Sequence, residues 1–300
     1  MRQKVTAKDI WGIVYPPLMY VGVTYIVQMI VVMAIGAFLG ANYGVEGLSE
    51  TELENRIMDI YSSNIMLITG ISAFATVPFG FMFMYFDVLN DKQKGIYKKY
   101  RGINISTYLL IIPLAISSMM MGNGLVSIVQ SILPKDWLAV YDDTAGILYG
   151  CGIEIQIFAS VIAAPIIEEV IFRGLIFKRI RRVSNATIAI VLSALFFGIF
   201  HWNVVQGIYA FVIGAILAYV YEKYKNIIAP IIVHMIANGI SVWSTSLVTE
   251  EELQQTQNLV YSAEELISFG IMTVVMGVIT FLFLYAIKRS VNAVEAEVNY

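Results

Sequence analysis

The stretch Ala164-Pro165-Ile166-Ile167-Glu168-Glu169-Val170-Ile171-Phe172-Arg173-Gly174 sets two adjacent carboxylates and a guanidinium inside an otherwise apolar run. The run reaches back to residue 150 with Glu154 as its only other carboxylate. That is longer than the ~20 apolar residues a membrane-spanning helix needs. A charge at such depth is costly unless something pairs with it or uses it. The stretch therefore points to a membrane protein and marks the place to look for its chemistry.

Composition agrees. Of 300 residues, 58% are hydrophobic and 14% are charged, and the mean hydropathy is +0.74, outside the range of an ordinary soluble domain. Apolar runs of spanning length lie near residues 17–40, 63–86, 107–131, 150–175, 187–204, 207–222, 226–246 and 266–287. The expected fold class is all-α: a polytopic membrane protein of about eight transmembrane helices. Polar segments of only about 20 residues leave no room for a soluble domain, so residues 1–300 read as a single integral membrane domain. The first run is too long for a secretory signal, begins after Trp11 and Pro16-Pro17, and lacks a convincing cleavage site. It is read as a retained span. The single cysteine, Cys151, excludes an intramolecular disulfide and any Cys-based metal cluster.

Orientation follows from the basic residues, which favour the cytoplasmic side of short loops. With both the N- and C-termini cytoplasmic, the cytoplasm receives Arg2, Lys4 and Lys8; Lys92, Lys94, Lys98, Lys99 and Arg101; Arg173, Lys178, Arg179, Arg181 and Arg182; Lys223 and Lys225; and Lys288 and Arg289. Of the 19 Lys and Arg residues, only Arg56 and Lys135 fall outside. The acidic clusters at 46–59, 136–143 and 250–265 fall outside as well. The net charge of -3 says little about partners, because charge is segregated by side. There is no nucleic-acid footprint, and the sequons at Asn104 and Asn185 lie on the expected cytoplasmic side, where they are idle.

Few ionisable groups occupy the expected spans. Beyond the fourth run, His201 ends the fifth, and His234 lies in the seventh with Asn238; these are the only two histidines of the chain. Glu169 and Arg173 are four apart, so they share a helix face and can form a charge-assisted pair. Glu168 points about 100° away, free to face a cavity. His234 and Asn238 repeat the four-residue spacing, as do Phe197 and His201, which lets an aromatic ring brace the second imidazole. Glu168 falls near mid-membrane, whereas His201 sits toward the outside. The fifth and sixth runs together hold 36 residues between Thr187 and Glu222. That is about 54 Å of helix for two crossings of a ~30 Å core, so their turn is expected below the outer surface, drawing His201 inward.

Glu-Glu-x-x-x-Arg at 168–173, Phe-x-x-x-His at 197–201 and His-x-x-x-Asn at 234–238 stand in that order on successive apolar segments. Together they resemble the three motifs of the CPBP family of intramembrane proteases, also called the type II CAAX prenyl endopeptidase, Abi or bacteriocin-processing family. The resemblance covers about residues 148–246, a catalytic core within the single domain, and no motif position is missing. It implies an intramembrane endopeptidase with Glu168, Glu169, Arg173, His201, His234 and Asn238 as site residues. In a glutamate-dependent arrangement Glu168 activates water, His201 assists, and His234 with Asn238 donates to the oxyanion.

The same side chains also suit a metal-dependent reading. Glu168, His201 and His234 offer the two imidazoles and one carboxylate of a catalytic divalent metal such as zinc, with a fourth position for water. Both chemistries stay open on sequence alone. Serine and aspartyl intramembrane proteases are disfavoured by the lack of Gly-x-Ser-Gly and Gly-x-Gly-Asp motifs. Two other classes compete: a proton-coupled transporter, although inverted repeats are missing, and a non-catalytic membrane regulator or scaffold. The expected partners are the lipid bilayer and a peptide or membrane-protein substrate, prenylated or not. The expected location is a bacterial-type plasma membrane.

Overall fold

The computed structural model describes residues 5–43, 49–97, 105–247 and 261–291. Arg2, Lys4, Lys98, Lys99, Arg101, the sequon at Asn104, and the acidic residues Glu46 and 250–252 lie outside the described residues. Helices and short connections between them make up the described residues. In chain order the helices are α1 (Ala7–Tyr43), α2 (Glu50–Ser63), α3 (Ile65–Gln93), α4 (Ile111–Ile132), α5 (Lys135–Tyr149), α6 (Ile153–Val183), α7 (Ala186–Ile199), α8 (Val204–Tyr224), α9 (Ile228–Thr245) and α10 (Ala263–Val291).

Seven of them, α1, α3, α4, α6, α8, α9 and α10, are long and apolar enough to cross a membrane. The expectation of eight spans fails at one place. The run at 187–204 folds as α7, a 14-residue helix of about 21 Å, short of a ~30 Å hydrocarbon core. The physical reason is a new helix start close behind it. Asn203 accepts a hydrogen bond from the Gln206 amide at 2.7 Å and caps α8, and Trp202 takes the left-handed conformation that reverses the chain. Two short helices, α2 and α5, occupy segments read as polar loops. Ser49 and Glu52 bond reciprocally to each other's backbone amides and start α2 as a capping box.

One end of the bundle gathers the basic residues. Arg179 bonds Asp87 at 2.9 Å, Arg182 bonds Asp91 at 2.7 Å, and Arg179 also donates to the Gly12 carbonyl and the Tyr15 hydroxyl. These contacts join the start of α1 to the ends of α3 and α6. At the same end Tyr224 of α8 donates to the Thr107 carbonyl just before α4, and Ile287 and Val291 of α10 pack with Ile111 and Tyr224. The start of α1 and the end of α10 therefore share this end, with α2 and α5 at the other.

The core lies around α6. Ile167, Val170, Ile171, Phe172 and Phe177 are fully or almost fully buried, and small residues on α3 let it come close. A Cβ at Gly80 would stand 2.5 Å from Val170 Cγ1, the kind of approach small residues permit between membrane helices. The outer helices α1 and α10 present Tyr25, Phe38, Val274 and Phe281 outward, surface that acyl chains cover. Within α6, π-helical stretches at Ile157–Ala163 and Val170–Phe177 flank the turn that carries Pro165, Glu168 and Glu169. Pro165 has no N–H to give the helix ladder, and wide turns are one way a membrane helix absorbs that loss. Glu168 falls at the midpoint of the 31 residues of α6.

Candidate active site

Four-residue spacing on α6 makes Glu169 and Arg173 a pair. Arg173 Nη1 donates to Glu169 Oε1 at 2.8 Å, and both side chains are fully buried. A lone buried ion pair seldom offsets its desolvation, and other elements add to this one, although Glu169 Oε2 and Arg173 Nε stay buried without a hydrogen-bond partner. Arg173 Nη2 donates to the Gly214 carbonyl of α8 at 2.8 Å. The guanidinium lies 4.6 Å from the Phe197 ring centre, within cation–π range. Gly214 is needed there, since a Cβ would meet Phe197 at 3.0 Å and Arg173 Nη2 at 3.3 Å.

Glu169 has a second partner, His234 of α9, whose Nδ1 lies 3.0 Å from Oε1. A carboxylate bound to Arg173 accepts, so Nδ1 carries the hydrogen and Nε2 is left for the cavity. That Nε2 stands 3.8 Å from Glu168 Oε2, beyond a direct hydrogen bond. His201 is pinned in the same manner. Its Nδ1 donates to the Phe197 carbonyl at 2.7 Å, and its ring meets the Phe197 ring edge-on with centroids 4.8 Å apart. Phe197 thus braces His201 as the spacing predicts, and also lies against His234 at 5.9 Å. Asn238 Nδ2 donates to the Ser160 carbonyl at 2.8 Å, tying α9 to the first π-helical stretch and committing one of its two N–H groups.

Glu168, His201, His234 and Asn238 all line one cavity of about 670 Å³. Glu169 and Arg173 stand behind it as support. The carboxylates therefore divide by exposure: Glu168 is 16% exposed toward the cavity and Glu169 is fully buried. Glu154 is exposed on the outside of α6 and does not line this cavity. The cavity also takes in Tyr141 and Tyr149 from α5 and Gln206 and Tyr209 from α8, none of which the motifs indicate. Tyr149 is tied to Ser241 of α9 by a 3.2 Å hydroxyl pair. Only a tertiary structure brings α5 over the others.

Among the described residues no group of three His, Cys, Asp or Glu side chains is placed to hold a metal ion. Glu168, His201 and His234 share a cavity, but they do not form the three-ligand cluster weighed from the sequence. Both imidazoles do keep Nε2 free, the nitrogen that accepts a proton or binds a ligand.

Residues 152–240 match the family described as "Type II CAAX prenyl endopeptidase Rce1-like". This segment is similar to that family. The matched segment runs from the start of α6 through most of α9 and contains all seven motif residues, Phe197 among them. A similar protein is "Putative membrane peptidase YdiL" of Bacillus subtilis (strain 168), 33% identical over 86 residues. That stretch is 29% of this chain and 35% of the relative, so the match spans about a third of each. No solved structure matches the chain.

Proposed function

We propose that this chain is an intramembrane endopeptidase, hydrolysing a peptide bond of a membrane-associated peptide or membrane protein in a bacterial-type plasma membrane. The observation that carries the reading is the convergence of Glu168, His201, His234 and Asn238 on one cavity beside the midpoint of α6. The match of residues 152–240 to a prenyl endopeptidase family supports the same chemistry.

Glu168 takes a proton from a water in the cavity as general base, and the oxygen of that water attacks the scissile carbonyl carbon. His201, held through Nδ1, has Nε2 free to bind the same water, and it relays the proton that Glu168 took to the leaving amine as the C–N bond breaks, which returns Glu168 to its carboxylate form. His234 donates to the developing oxyanion when its Nε2 carries a proton, and the remaining Asn238 N–H supplies a second donor. Glu169 and Arg173 act on the reaction through His234, by fixing its ring.

Glu168→Gln keeps the side-chain volume and removes the base. Comparing membrane proteomes of cells expressing wild type and this variant at equal levels should reveal a cleavage product absent from the variant. A loss of about 10²–10⁴-fold in its rate of formation is expected. An identical set of products from both would end the hydrolytic reading. Metal content of the purified protein, with and without His201→Ala, separates water activated by Glu168 alone from water activated on an ion.

A further inference from the structure

The cavity lies toward one end of the bundle. Its walls include Ile65 and Met66 at the start of α3, Tyr149 at the end of α5 and Ser241 in the last part of α9, and it deepens to Glu168. All of those rim elements belong to the end opposite the Arg179–Asp87 and Arg182–Asp91 ion pairs. From the catalytic group toward that basic end, α6 is packed solid: Val170, Ile171, Phe172, Leu175, Ile176 and Phe177 are buried. The site therefore has depth on one side and a plug on the other.

The lining is also electrically one-sided. Among the described residues that line the cavity there is no Lys, Arg or Asp, and Glu168 is the only carboxylate. The nearest buried cation, Arg173, is committed to Glu169, Gly214 and the face of Phe197. A substrate's C-terminal carboxylate would find no Lys or Arg to receive it, only an imidazole already engaged by Glu169, and would meet Glu168, a like charge. Apolar side chains and tyrosine rings, by contrast, suit an uncharged segment whose backbone needs a few polar contacts.

The basic end is the one that charge bias assigns to the cytoplasm. We propose, building on the hydrolytic reading, that the substrate is an uncharged, apolar internal segment of an exported or membrane-inserted polypeptide, entering from the non-cytoplasmic face. A cytoplasmic chain terminus does not reach the site by this route. Cleavage then follows translocation or insertion, so the class of reaction that supplies the substrate is membrane insertion or export.

Two measurements on the full-length protein test this. In a Cys151→Ser background, Thr144→Cys places a thiol at the rim and Gln93→Cys places one at the basic end. A membrane-impermeant maleimide should label Thr144→Cys in intact cells and Gln93→Cys only in inverted vesicles. The reverse pattern overturns the proposed access, whatever the activity. Second, peptides that depend on Glu168 should have been cut in non-cytoplasmic segments. They should carry no charged residue within about three positions of the cut, a reach of roughly 10 Å at ~3.3 Å per residue. Products cut from cytoplasmic C-terminal tails would overturn the substrate assignment while leaving the hydrolytic reading standing. Absence of any Glu168-dependent product would end both, and the labelling would still decide the face.

Discussion

Neighbours in sequence, Glu168 and Glu169 live under different constraints. Glu169 Oε1 serves Arg173 and His234 at once, and removing its charge leaves a buried guanidinium without its counter-ion. Glu169→Gln is expected to destabilise the protein by about 3–5 kcal/mol, whereas Glu168→Gln, facing the cavity, should cost far less. Thermal unfolding in detergent micelles checks the order: Glu169→Gln should melt well below wild type and Glu168→Gln close to it. A reversal would refute the division of labour between them. The pairing of Glu169 with Arg173 was legible because both residues sit on one helix, where spacing reports facing. The bond from Glu169 to His234, 65 positions away, and the Gly214 carbonyl under Arg173 were not. Periodicity speaks only within an element.

At the level of elements, α7 and α8 hold the two walls that fix His201. Gly198 and Gly207 touch across this hairpin, and a Cβ at Gly198 would stand 2.6 Å from the Gly207 carbonyl oxygen. Backbone cannot yield there as a flexible side chain would. Gly198→Val should push α7 from α8 and move His201, and misplacement by about 1 Å can cost 10²-fold in rate. Gly22→Val on α1, where nothing lies within 4 Å, should be neutral. Cleavage rates for the two variants at matched expression check this, and equal rates would remove the hairpin from the catalytic account. A search for apolar windows of spanning length merges α7 with its turn, which is why the sequence reads one span too many. The capping pattern Ser49-x-x-Glu52 was there to be read, and it would have placed α2 in what looked like a loop.

Across the whole molecule, the basic residues do more than set topology. Reading them by loop gives an expected side of the membrane; the structure adds that Arg179 and Arg182 are spent on Asp87 and Asp91, two acids near the end of α3. Each is only partly exposed, so these pairs are worth more than free surface pairs. Removing one is expected to cost about 1.5–3 kcal/mol. Asp87→Asn combined with Asp91→Asn should lower the melting temperature with little change in the rate per folded molecule, since the cluster stands at the end away from the cavity. A large fall in that rate at unchanged stability would contradict this.

The shortness of α7 also acts on the lipid around it. A helix of about 21 Å beside a ~30 Å hydrocarbon layer leaves roughly 9 Å unmatched. Bilayers meet such a deficit by thinning, at fractions of a kcal/mol per Å. Trp202, 77% exposed at the α7–α8 turn, is the residue type that settles at a membrane surface. Thinning beside α7 would bring the headgroup layer toward His201 and give the water of the proposed hydrolysis a short way in. Reconstitution into bilayers of increasing acyl length should slow turnover steadily as that dimple becomes more expensive to maintain, and a rate indifferent to thickness would mean that water arrives by another route.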